Sequence, residues 1–176
     1  MTGPRVWFDS VDATITRWMA DHGLTLLRIS LGVVFFWFGI LKFFPGLSPA
    51  QDLATRTIST LTFGAVPPRV ALVVLATWES LIGLGLIFGV AMRLTLLLLF
   101  VQMLGTVMPL AFYPFETFYR FPYAPTLEGQ YIIKNIVLIS AAIVLGATVR
   151  GGHLESEPLP RQETDPRPRQ YVKPGS

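Results

Sequence analysis

The chain has no cysteine and only two histidines, and charged residues make up 14% of its 176 positions. Each scarcity closes off chemistry. Without cysteine there is no thiol–disulfide exchange by this chain, no cysteine-ligated iron–sulfur cluster and no thiolate zinc. His22 and His153 both lie outside the apolar runs, so a haem held between helices is not expected. Phosphate-binding loops, dinucleotide glycine fingerprints, zinc-protease motifs and a serine triad are all missing from the sequence. So little charge could not cover the surface of a soluble domain of this length.

What fills the chain is apolar: 52% of residues are hydrophobic and the mean hydropathy is +0.54. The net charge is +3, but the basic residues are dispersed and many flank apolar runs. They read as membrane-flanking charges rather than a nucleic-acid surface. The expected class is an all-α integral membrane four-helix bundle. Spans are expected at about 24–44, 70–92, 94–112 and 131–149, within one domain covering 24–150.

Two shorter helices are expected beside the spans. In PRVWFDSVDATITRWMA, Phe8, Val11, Ile15 and Trp18 recur at helical spacing, so residues 1–23 read as an amphipathic segment lying in the membrane interface. Its acidic residues and lack of an apolar core argue against a cleaved signal peptide. Between spans one and two, Ser48–Pro49 with Gln51 resembles a capping box opening a short helix. The tail, 151–176, is polar and proline-rich and is expected to be disordered. With both termini cytoplasmic, nine of the fourteen basic residues fall inside, which sets the expected orientation.

The informative residue is Glu79, near the middle of the second span. A carboxylate there costs several kcal/mol unless it faces protein, finds a partner or takes up a proton, on the order of the costs known for intramembrane charges. With both termini inside, Lys42 and Lys134 lie near the outer ends of the first and fourth spans and are expected to converge on it. On the first span Arg28, Gly32, Gly39 and Lys42 share one stripe at 100° per residue. Glu79 is equally readable as a binding group or as a register lock. Gln102 and Asn135 read first as interhelical hydrogen-bonding groups, and Arg28 as a headgroup anchor. The loop YPFETFYRFPYAPTLEGQ reads as an aromatic interfacial belt; the sharper reading is a lid with Glu116, Arg120 and Glu128 at its rim.

LLRISLGVVFFWFGILKFFPG, WESLIGLGLIFGVAMRL and EGQYIIKNIVLISAAIVLGA, in that order, resemble the DoxX-like membrane proteins and their YkgB-like relatives. The resemblance implies a four-helix bundle in a bacterial cytoplasmic (inner) membrane. It marks Arg28, Lys42, Glu79 and Lys134 as a polar core; the reading of the residues themselves sets Asn135 and Gln102 beside it. It also implies a redox-associated role: quinone as the cofactor, or an anchor for a partner oxidoreductase, with no certain cofactor of its own. A homodimer is compatible, and the chain reads as an accessory subunit more than a stand-alone enzyme. The rival readings are a small-molecule or proton-coupled carrier built around a midplane polar site, and a scaffold without chemistry.

Overall fold

A computed structural model of the chain describes residues 4–44, 46–48 and 51–152, with side chains from residue 11 onward. The proline-rich tail and His153 lie outside the described residues, as do Pro49 of the expected capping box and the side chain of Phe8. The element order is α1 (Pro4–Leu41), α2 (Gln51–Leu61), α3 (Pro68–Phe88), α4 (Met92–Phe112), α5 (Pro114–Thr117), β1 (Phe118–Arg120), β2 (Ala124–Pro125) and α6 (Leu127–Thr148). Four of the helices, α1, α3, α4 and α6, are long and apolar enough to cross a membrane. Their bulky outward residues, such as Trp37, Leu81, Leu104 and Val137, are exposed. Lipid is the solvent that suits such surfaces, because a bilayer interior makes no demand for polar cover.

Local chemistry sets the helix ends. Pro68 sits at the first turn of α3, where its missing N–H costs nothing. Gly89 closes α3 in the left-handed conformation (φ 68°), its N–H returning to the Gly85 carbonyl. The second span therefore ends at Phe88, not near residue 92, and Arg93 lies inside α4 rather than marking the turn. Thr126 caps α6, its hydroxyl accepting from the Gly129 N–H at 3.2 Å.

α1 departs from expectation. The segment read as a separate interfacial helix is continuous with the first span, with no break at Gly23. Glycine in a helix costs only about 1 kcal/mol relative to alanine, too little to stop a helix supported on both sides. The exposed Ile15 and Trp18 of the expected stripe belong to this same rod. The loop between α4 and α6 is also more ordered than a belt requires. It folds as one turn of helix and a two-stranded antiparallel ladder, β1 with β2.

α1 packs most extensively against α3, and α4 bridges α3 and α6. Leu31 and Phe35 of α1, Ile82 and Leu86 of α3, Leu96, Leu99 and Met103 of α4, and Ala142 and Leu145 of α6 form one core. α1 and α3 approach closely because glycines remove the side chains between them. A Cβ on Gly83 would lie 2.4 Å from the Phe36 amide nitrogen, and one on Gly39 would lie 2.7 Å from that of Ser80. The chain thus places the C-terminal end of α1, the whole of α2, the N-terminal ends of α3 and α6, and the C-terminal end of α4 at one end of the bundle.

Candidate functional site

At that end, Lys42, one residue beyond α1, meets Glu79 of α3. Lys42 Nζ donates to Glu79 Oε2 at 2.5 Å and to the Phe38 carbonyl at 3.3 Å. From α4, Gln102 Nε2 donates to Glu79 Oε1 at 2.5 Å. Both carboxylate oxygens are thereby engaged, one by a cation and one by an amide. The Lys42 and Glu79 side chains retain only 13% and 9% of their exposure. Gln102 Oε1 is buried without a hydrogen-bond partner, and so is Ser80 Oγ on the next residue of α3. An acceptor left in that state is costly unless something supplies a donor.

The cluster forms part of the wall of a cavity of about 730 Å³. Most of the lining is apolar or aromatic, including Phe35, Phe38, Leu53, Trp78 and Met103. Trp78 is fixed there by a 3.1 Å hydrogen bond from its Nε1 to the Leu98 carbonyl. Large apolar walls with a few convergent polar groups are the usual make-up of a small-molecule site.

Lys134 and Asn135 also line this cavity, but they do not join the cluster. Asn135 Nδ2 donates to Thr106 Oγ1 at 3.4 Å, whereas the exposed Lys134 lies over the Tyr131 ring, 5.7 Å from its centroid. The expected convergence of both lysines on Glu79 is corrected: Lys42 alone pairs with it among the described residues. Depth in the membrane and the resemblance bring Lys134 to this end of the bundle, but neither fixes which way a helix is rotated.

Arg28 is elsewhere. Its Nη1 donates to the Leu86 carbonyl and, at 2.9 Å, to that of Ile87, and it lies beside Gly89. It therefore serves the last carbonyls of α3, groups that no intrahelical N–H can reach. Fourteen residues separate it from Lys42, about 21 Å along α1 at the helical rise. The expectation that it shares a polar site with Glu79 is corrected on that geometry: the half-buried Arg28 gives its Nη1 to α3 backbone.

A second, polar cavity of about 450 Å³ adjoins the first. Asp52, Arg56, Glu116 and Glu128 line it, and the two cavities share Ser48, Leu53 and Glu128. Of the three expected rim residues, Glu116 and Glu128 are here, while Arg120 is exposed on β1 and lines neither cavity. Arg56 was not singled out by sequence, yet it holds Glu116 in a two-pronged pair at 2.8 and 2.5 Å. The hydrogen bonds that Arg56 donates to Glu116 raise the pKa of its guanidinium above the ordinary range, against a smaller opposing effect of desolvation. Tyr113 supports the same junction: its hydroxyl lies 2.8 Å from Thr60 Oγ1 and donates to the Arg56 carbonyl at 3.3 Å.

Comparison with known proteins adds one finding. A family model described as DoxX matches residues 23–113, which takes in Arg28, Lys42, Glu79 and Gln102 and ends before α6. No curated protein matches the chain, and no solved structure does.

Proposed function

The chain belongs to the DoxX family, and from that membership together with the cavity we propose that it is a redox-associated membrane subunit whose Lys42–Glu79–Gln102 cluster binds the head group of a quinone. One observation carries the reading: a large apolar cavity whose wall holds a buried carboxylate, its cation and an amide oxygen without a partner. The residues fit such a molecule. The apolar lining accommodates a ring and an isoprenoid chain. Gln102 Oε1 offers an acceptor to a head-group hydroxyl, and Lys42 offers a donor to a head-group oxygen.

A bound quinone supplies two-electron redox chemistry, with electrons delivered by a partner oxidoreductase. The protein's own part is orientation and proton handling. Gln102 holds Glu79 Oε1, so its amide oxygen faces away from the carboxylate. Lys42 balances the carboxylate charge, and Glu79 is the group able to accept or release a proton beside the ligand. Residence in a bacterial cytoplasmic membrane with both termini inside completes the reading. The basic-residue distribution supports it.

A specific observation favours a second reading, in which the pair only locks α1 against α3: it spans the same interface that Gly39 and Gly83 close. One experiment separates the two. The protein is purified gently from its native membrane and its quinones are quantified by mass spectrometry against an unrelated four-span control. Wild type should be enriched in quinone, and Glu79→Gln and the double variant Lys42→Met/Glu79→Leu should lose it while remaining folded. If the double variant folds and keeps its quinone, the cluster is structural. If wild type carries no more quinone than the control, the redox reading fails.

A further inference from the structure

We propose that α2 and the α5–β1–β2 segment are the two leaves of a gate between the polar and apolar cavities, latched by the Arg56–Glu116 pair. The inference goes beyond the quinone reading, because it concerns the route into the cavity whatever molecule occupies it.

One leaf is fixed. Thr126 Oγ1 donates to the Glu116 carbonyl at 2.7 Å, and the Thr126 N–H donates to the Thr117 carbonyl at 2.9 Å. Gly129, in the first turn of α6, packs so closely on Thr117 that a Cβ there would lie 2.0 Å from its carbonyl oxygen. Glu116 is thus presented from a platform built onto the start of α6.

The other leaf is α2. Its inner face, Leu53, Thr57, Ile58 and Leu61, is one wall of the apolar cavity. Its outer face carries Arg56 to Glu116 and Thr60 to Tyr113. Both outer contacts cross from α2 to the segment beginning at Tyr113, so movement of α2 away from that segment breaks them together. The same movement widens the junction at Ser48, Leu53 and Glu128, where the two cavities meet.

The latch has the strength a gate requires. The Arg56 and Glu116 side chains keep 50% and 44% of their exposure. Pairs this open contribute little and are screened by salt. The Lys42–Glu79 pair inside is four to five times less exposed by the same measure (50/13 and 44/9). The exposed pair can open and close while the inner one stays made.

The native chain has no cysteine, so one introduced thiol reports the gate. Ile132, 8% exposed, lines the apolar cavity on α6, and Tyr119, 78% exposed on β1, serves as a control. Ile132→Cys and Tyr119→Cys are placed singly in the full chain in nanodiscs and labelled with a membrane-impermeant maleimide. Arg56→Gln or Glu116→Gln should speed labelling at position 132 about two- to fivefold, in keeping with a weak exposed pair, and leave position 119 unchanged. High salt should do the same to the unaltered latch, and Arg56→Glu with Glu116→Arg should restore slow labelling. Equal rates at position 132 with the latch intact, neutralised or screened by salt would overturn the gate. So would acceleration at both positions, which would mean general loosening. The salt series needs no change to the latch, so the question is answered even if a substituted chain folds poorly.

Discussion

The α1–α3 interface ends in a cation at each extremity, and the two ends are built differently. At one, Arg28 gives its N–H groups to the backbone carbonyls of Leu86 and Ile87. Those acceptors carry no proton and exist wherever a helix stops. At the other, Lys42 meets a side-chain carboxylate that an amide also holds, beside a large cavity. Between them the helices are in backbone contact at Gly32, Gly39 and Gly83. The same sign of charge thus finishes a helix at one end and pairs with a carboxylate in a cavity wall at the other.

The sharpest way to break that comparison is to strand a charge. Glu79→Ala leaves Lys42 without its counter-charge and Gln102 Nε2 without its acceptor. It should cost about 3–5 kcal/mol, as expected when one member of a buried pair is removed, read as unfolding in mixed detergent. Lys42→Met/Glu79→Leu should recover most of that loss, because no ion is left unpaired. Failure of the double variant to recover would mean that the pair contributes more than its charges.

Next comes the dry stretch between the ends. Gly83→Ala sets a methyl against the Phe36 backbone, which cannot swing aside, and should cost about 3 kcal/mol, at the upper end of overpacking effects. Gly105 on α4 has nothing within 4 Å of its would-be Cβ. Gly105→Ala should instead stabilise by up to about 1 kcal/mol through helix propensity. Equal effects at the two sites would refute the close approach of α1 and α3.

The smallest loss of stability belongs to Arg28. Arg28→Met gives up charge-assisted hydrogen bonds to two carbonyls and should cost about 2 kcal/mol, without altering how much quinone the purified protein retains. A loss of quinone in this variant would show that the two ends are coupled and the contrast between them is false.

The sequence made the α1 stripe legible because glycines and charges repeat there at the helical period. All four members, Arg28, Gly32, Gly39 and Lys42, do face α3. Glu79 stood out as a lone carboxylate in an apolar run, and the four spans stood out by length and hydropathy. Other features left no periodic trace. The bond from Gln102 to Glu79 depends on how α4 is rotated against α3, which hydropathy does not encode when α4 is apolar on nearly every side. The same ambiguity misplaced Lys134. Arg56 and Glu116 are 60 residues apart on separate elements, so no spacing rule joins them. Strands of three and two residues are too short to show alternation. At the end of α3, apolar residues on both sides of Gly89 hid the turn.

At the helical rise α1 is about 57 Å long, against about 30 Å of hydrocarbon, and it has no internal break. A helix of this kind curves only gently unless proline or a bulge interrupts it. Its close contact with α3, at Gly32 and Gly39, falls in its C-terminal third. A long N-terminal run precedes that contact, and Phe38 and Lys42 towards the other end line the cavity. A tilt of the N-terminal run, carried through an unbroken helix, would therefore register as a change in the spacing between Lys42 and Glu79.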